Sequence, residues 1–248
     1  MLAGREKVLH LQKEAGSFED PKLSMVEIFE TVEGEGTRAG FPTTFIRLFY
    51  CNLRCVWCDT PYSYAPYKPE YEARVSEIVQ KVKNYPHPSV CLTGGEPLLH
   101  GRKVERLIEA LAGINYIEDI HIETNGSIDL EPFAKLRKSH EAVWRKVRFI
   151  LDYKLPASGE NGRMIHRNFD WLRENDEVKF VIAGEDDFLH AKKIVQTEMK
   201  KGIPLFSPVW EKMEPARLVD LMLRHKLGHV KLNLQMHKFI WDPNLRGV

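Results

Sequence analysis

The sequence predicts an α/β fold built on a mainly parallel sheet, and three observations carry that prediction. Short apolar runs rich in Val, Ile and Phe recur along the chain. Segments of helical periodicity separate them, and neither an internal repeat nor a low-complexity tract breaks the alternation. Strands are expected near residues 43–50, 89–92, 119–123, 147–153, 178–182 and 203–206, with a seventh near 230–236. Helices are expected near 72–83, 103–112, 187–200 and 215–227, the last with Pro215 in its first turn. Six or seven such units make either an open sheet or a barrel-like sheet that does not close to eight strands, and periodicity does not choose between them. Residues 1–24 are polar and weakly periodic and read as an N-terminal arm; residues 25–248 read as the domain.

Composition narrows the function classes. The chain has 248 residues, 43% of them hydrophobic, which is enough for one large domain. Lys and Arg number 36 against 35 Asp and Glu, a net +1, whereas a sequence-independent nucleic-acid binder should be basic. No run approaches the ~18 apolar residues of a membrane span. The first residues lack the apolar stretch of a signal peptide, and a cytoplasmic protein is expected.

Parity along two expected strands is informative. Asp119, His121 and Glu123 share one face, and so do Lys231, Asn233, Gln235 and His237. Either these are solvated faces of edge strands, or they line a polar barrel interior that holds a ligand. Arg47 lies among apolar neighbours in Phe45-Ile46-Arg47-Leu48-Phe49, where a cation is costly unless it meets an anion. That anion is either a structural partner or a ligand.

The four cysteines are Cys51, Cys55, Cys58 and Cys91. The first three form C-x3-C-x2-C just after the first expected strand. Three thiolates on a short loop suit one face of a [4Fe–4S] cluster and leave one iron to bind a small molecule. Structural zinc wants four closed ligands, and the nearest histidines, His10 and His87, lie far outside finger-like spacing. Cys91 sits inside the strand Val90-Cys91-Leu92 and reads as a small core residue. Thr93-Gly94-Gly95-Glu96-Pro97 follows the same strand, and two glycines there let the backbone approach a ligand closely.

The cysteine spacing, Trp57 before the last cysteine, and the Gly-Gly-Glu loop resemble the radical S-adenosylmethionine (SAM) enzymes. Five further elements resemble the 7-carboxy-7-deazaguanine synthase family of queuosine and deazapurine biosynthesis, from about Val26 to the C-terminus. These are Thr31-Val-Glu33-Gly34-Glu35-Gly36, Arg47, Cys58-Asp59-Thr60, Glu123-Thr124-Asn125-Gly126 and Gln235-Met-His237-Lys238. The resemblance implies a single-domain incomplete (βα)6 partial barrel with an extra C-terminal segment. It implies a [4Fe–4S] cluster, SAM and Mg²⁺ as cofactors. It also implies hydrogen abstraction from C6 of 6-carboxy-5,6,7,8-tetrahydropterin, ring contraction and loss of ammonia. An external flavodoxin-like one-electron donor and a homodimer are further implications.

Residue roles follow from the same resemblance. Cys51, Cys55 and Cys58 would ligate the cluster and Thr60 the Mg²⁺. SAM contacts would come from Trp57, Gly95, Glu96, Asp152, Tyr153, Lys154 and Ser207. The pterin would be read by Val32, Glu33, Gly34, Glu35, Arg47, Thr93, Glu123, Gln235 and His237. Val248 would bring the terminal carboxylate to the site, a free tail being the alternative. Asp152-Tyr153-Lys154 departs from the Ser-Pro-Lys-like element of other members. A glycyl-radical activating enzyme of the same superfamily and a non-catalytic iron–sulfur protein are the competing functions. The first would act on a protein backbone and would not need Arg47 or the Cys-Asp-Thr element; the second would not cleave SAM.

Overall fold

The computed structural model describes residues 20–243 and 245–247. Its strands form one sheet, in which β1 (Lys22–Val32) pairs antiparallel with β2 (Pro42–Leu48) and with the short edge strand β3 (Tyr71–Arg74). From β2 onward the sheet is parallel: β4 (Ser89–Gly94), β5 (Asp119–Thr124), β6 (Val147–Tyr153), β7 (Glu177–Ile182), β8 (Ile203–Pro208) and the two-residue β9 (Lys231–Leu232). Crossover helices are α1 (Val75–Val82), α2 (Arg102–Ala112), the pair α3 (Glu131–Ser139) and α4 (Glu141–Lys146), α5 (Glu185–Thr197) and α6 (Pro215–Arg224); a short α7 (His237–Ile240) follows β9. Six full parallel strands and a short seventh are the expected partial barrel.

Each helix forms because its apolar residues recur on one side. In α2, Val104, Leu107, Ile108 and Leu111 are all buried at three- and four-residue spacing. At the start of α1 the Asp20 carboxylate accepts from the Ser76 amide at 2.9 Å and the Glu77 carboxylate from the Arg74 amide at 2.7 Å. These helix faces meet the outward faces of the strands, where Leu92, Ile120, Ile122, Phe149, Leu151, Val178 and Phe180 are buried. Among the described residues, no helix is long and apolar enough to cross a membrane.

Three differences from the expected boundaries bear on the site. β1 begins at Lys22, inside the stretch read as an arm, and Leu23 and Met25 are fully buried; residues 1–19 lie outside the described residues. The helix expected from residue 72 starts at Val75, because Tyr71–Arg74 pairs with Lys22–Met25. The strand expected over 230–236 ends at Leu232. There Asn233 turns inward and its side chain bonds Ser207 Oγ at 2.8 Å and accepts from the Gly36 amide at 2.6 Å.

The concave face carries two tiers of side chains. Phe45, Cys91, His121 and Arg148 stand in register across β2, β4, β5 and β6. Two residues further along the same strands stand Arg47, Thr93, Glu123 and Ile150. The loop after β1 bridges the sheet's open gap. Thr37 bonds Glu177 on β7, and Gly34 O accepts from the Met236 amide at 2.9 Å.

Candidate active site

A cavity of about 290 Å³ opens above the upper tier, at the C-terminal ends of the parallel strands. The cluster loop forms one wall. Tyr50 enters it at φ 84°, an uncommon conformation for a bulky residue. Its backbone is held there: the Tyr50 amide donates to Ser63 O at 2.8 Å, and Tyr50 O accepts from the Glu96 amide at 2.7 Å. The loop then docks on two neighbouring connections. The Val56 amide donates to Ser158 O, and Asn52 bonds Ser127 and Asn125 at 2.7 and 3.1 Å. Cys51, Cys55 and Cys58 all line the cavity, and none forms a disulfide.

The Gly-Gly loop is explained by this wall. An ideal Cβ on Gly94, at φ 145°, would fall 2.1 Å from Leu48 O, and one on Gly95 would fall 2.3 Å from Tyr50 O. The glycines let β4 pack directly under the cluster loop. Ligand approach, the reason expected from sequence, is a consequence of that packing.

The donor set fits a cluster and SAM. Burial pushes the Cys55 thiol up to about 11 and raises that of Cys51, so cluster assembly must displace their protons. Polar donors surround the sulfurs: the Leu53 amide at 3.5 Å and Asn125 Nδ2 at 3.8 Å both point at Cys51 Sγ. Nearby, Asp152 Oδ2 pairs with Lys154 Nζ at 2.8 Å, while its Oδ1 is buried with no hydrogen-bond partner. An orphaned acceptor on a cavity wall suits an ammonium or hydroxyl of a ligand.

The same cavity is lined by residues expected to meet the pterin. A bulge between Met25 and Glu27 sets Glu27 opposite Arg47, and Glu27 Oε1 accepts from Arg47 Nε at 2.8 Å. Arg47 thus has a structural partner and also faces the cavity. Thr93 Oγ1 donates to Glu123 at 2.7 Å. Glu35 accepts from Gln235 Nε2 at 3.0 Å and pairs with Lys179 Nζ at 3.1 Å. Gly34 allows His237 to approach, since an ideal Cβ there would lie 2.4 Å from its Nδ1. Thr60 Oγ1 donates to Asp59 at 2.9 Å. Burial raises the Asp59 carboxyl, but Thr60 and the charges of Lys179, Lys238 and Arg47 outweigh it and hold the group below the ordinary range. Two hard oxygen donors are therefore adjacent.

Val32, Glu33 and Trp57 also reach the cavity. Three expected contacts do not, and their side chains are reassigned. The Tyr153 ring is buried beside Phe169 and Phe180, 5.7 and 5.6 Å away between centroids. Ser207 faces Asn233. Glu96 ties two connections together, accepting from the Leu98 and Asn125 amides and from Thr124 Oγ1; burial nevertheless pushes it up to about 7. Val248 lies outside the described residues, although Leu245 and Gly247 line the cavity.

Sequence reasoning missed Lys179, Tyr62 and Tyr64, and gave no role to Asp59 and Asn125, which it had singled out only within motifs; all five line the cavity. Lys179 is the most consequential. It lies 3.1 Å from Glu35 and 3.5 Å from Asp152. The parity used for Asp119 and His121 would have found it, because Glu177 and Lys179 alternate with apolar residues in β7.

Comparisons agree with this geometry. The Radical SAM superfamily model matches residues 46–149. The 7-carboxy-7-deazaguanine synthase of Clostridium acetobutylicum is 37% identical over 90% of this chain and 98% of its own length. That of Koribacter versatilis is 35% identical over 91% of this chain and all of its own. Among solved structures, QueE from Escherichia coli superposes with a TM-score of 0.64 at 18% identity, covering 87% of this chain and 95% of that one. Streptococcus suis SuiB matches at 0.52 and 14%, over 75% of this chain and 46% of its own.

Proposed function

The chain belongs to the 7-carboxy-7-deazaguanine synthase family of radical SAM enzymes, and from that premise we propose that it converts 6-carboxy-5,6,7,8-tetrahydropterin into 7-carboxy-7-deazaguanine and ammonia. When bound, the cluster and SAM supply a carbon radical that takes a hydrogen atom from the substrate. The observation that carries the substrate assignment is the lining of one cavity, which three cysteines share with Arg47, Thr93, Glu123, Glu35, Gln235 and His237.

The residues divide the work. Cys51, Cys55 and Cys58 would hold the cluster. Asp152, Lys154 and the Gly95 backbone would hold SAM, with Asp152 Oδ1 as the open acceptor. Arg47, its Nε anchored by Glu27, presents a planar cation suited to the substrate carboxylate. Thr60, beside Asp59, would hold Mg²⁺, a cation that takes oxygen ligands and keeps several waters. Glu33, Glu35, Gln235 and His237 would read the polar edge of the pterin. Burial holds the His237 imidazole below its ordinary range, which favours the neutral form. Residence in the reducing cytoplasm, where the thiols stay free, a homodimeric state and a flavodoxin-like donor belong to the same proposal.

The test is an anaerobic assay. The cluster is reconstituted and reduced, SAM, Mg²⁺ and 6-carboxytetrahydropterin are added, and the product is read by mass. Product is expected, with less when Mg²⁺ is omitted and none in Cys55→Ala. SAM cleavage without product would discard the substrate.

A further inference from the structure

Beneath the upper tier lies a chain of buried charges that no ligand role explains. His121 is fully buried, and both its ring nitrogens meet carboxylates: Nδ1 lies 2.9 Å from Asp119 Oδ2 and Nε2 lies 2.6 Å from Glu33 Oε2. Asp119 is held in turn by Arg148 Nε at 2.6 Å, and Arg148 Nη1 reaches Glu177 at 2.5 Å. Glu33 comes from the loop after β1, 88 residues away in sequence, and it also lines the cavity.

We infer that His121 is a positioning residue for substrate binding, fixing the Glu33 carboxylate in one orientation at the cavity floor. The inference rests on the reading of Glu33 as a substrate contact. One imidazole can serve two carboxylates only if both nitrogens donate, or if a proton is shared along the row. The other Glu33 oxygen accepts from the Glu35 amide at 3.2 Å, which fixes the carboxylate plane. The groups facing this row are Cys91 on β4, Asp119 on β5, Arg148 on β6 and the half-exposed Arg38, 3.5 Å from Asp119. Glu123 lies close enough to Glu33 to repel it. Burial opposes charge on His121, but Cys91, Asp119 and Glu33 outweigh it and keep the ring protonated well above 6.5. Without His121 the Glu33 carboxylate would keep only the Glu35 amide at 3.2 Å and would lie close to Glu123 with nothing to hold its plane.

The test measures equilibrium binding of 6-carboxytetrahydropterin to the reconstituted holoenzyme, with KM and kcat, from about pH 6 to 9. His121→Leu should raise Kd and KM about ten- to hundredfold, the range set by one charged hydrogen bond, with kcat within a few-fold. His121→Gln, which keeps a donor at the Glu33 carboxylate, should recover part of the affinity. If His121→Leu does not fold, Asp119→Asn should give a smaller shift in the same direction. A folded variant of either kind with unchanged Kd overturns the inference. Glu33→Gln separates the two levels: unchanged Kd there would remove the reading of Glu33 itself.

Discussion

The charged groups of the interior fall into a lower tier beneath the cavity and an upper tier on its wall, and the two differ in how their charges are met. In the lower tier, Glu33, His121, Asp119, Arg148 and Glu177 form a continuous row in which each charge touches an opposite one. In the upper tier the pairings are partial. Arg47 is anchored through Nε, Asp152 keeps an orphaned oxygen, and Lys179 sits between Glu35 and Asp152 at 3.1 and 3.5 Å. Closed pairing marks groups whose partners are protein. Incomplete pairing beside a cavity marks groups whose partner arrives with the ligand. Glu33 belongs to both tiers, which is why its anchoring matters.

The contrast can be broken experimentally, and the cluster wall gives the largest effect. Cys55→Ala should abolish cluster absorbance and turnover, a loss of roughly 10³-fold or more. The apo protein should melt within a few degrees of its parent, because Cys55 is only partly buried. The lower tier should show the reverse. Arg148→Met removes the buried cation shared by Asp119 and Glu177, leaving Asp119 to His121 and Arg38 and Glu177 to Thr37, and should cost about 3–5 kcal/mol, lowering the melting point by about 10 °C. The fraction that stays folded should bind SAM normally.

A subtler difference is set by pH. Burial raises the Asp119 carboxyl, but its bonds to His121 and Arg148 prevail and hold it well below 3.8. Its stabilisation is complete above that value and is lost as pH falls towards the depressed folded one. His121, raised above 6.5, contributes in full below 6.5 and loses that contribution as pH rises through its elevated value. The melting-point gap between the unaltered protein and Asp119→Asn should therefore be widest near pH 6 and close below pH 3.8. A gap independent of pH would mean that Asp119 acts through packing alone.

Much of this arrangement was legible in the chain. The spacing of Cys51, Cys55 and Cys58 marked the cluster loop, and short apolar or alternating runs marked β4 to β8. Parity put Asp119, His121 and Glu123 on one face, which was either solvated or interior; the structure makes it interior. Other features depend on distance in sequence and were not legible. β1 reads poorly because a bulge breaks its alternation and acidic residues punctuate it. β3 is four residues long and precedes a helix whose pattern absorbs it. The division between tiers depends on pairings such as His121 with Glu33 and Arg148 with Glu177, which only the curled sheet creates. The Tyr153 ring faces away from the cavity because adjacent strand residues point to opposite faces, and Asp152 took the inner one.

The most direct test compares the two tiers through one ligand. Equilibrium binding of 6-carboxytetrahydropterin to Arg47→Ala, measured beside its melting point, separates binding from stability. The account predicts affinity weakened about a hundredfold, with the melting point shifted by no more than a few degrees. Unchanged affinity with a large fall in melting point would make Arg47 a structural partner of Glu27 and would contradict the assignment of the upper tier to the ligand.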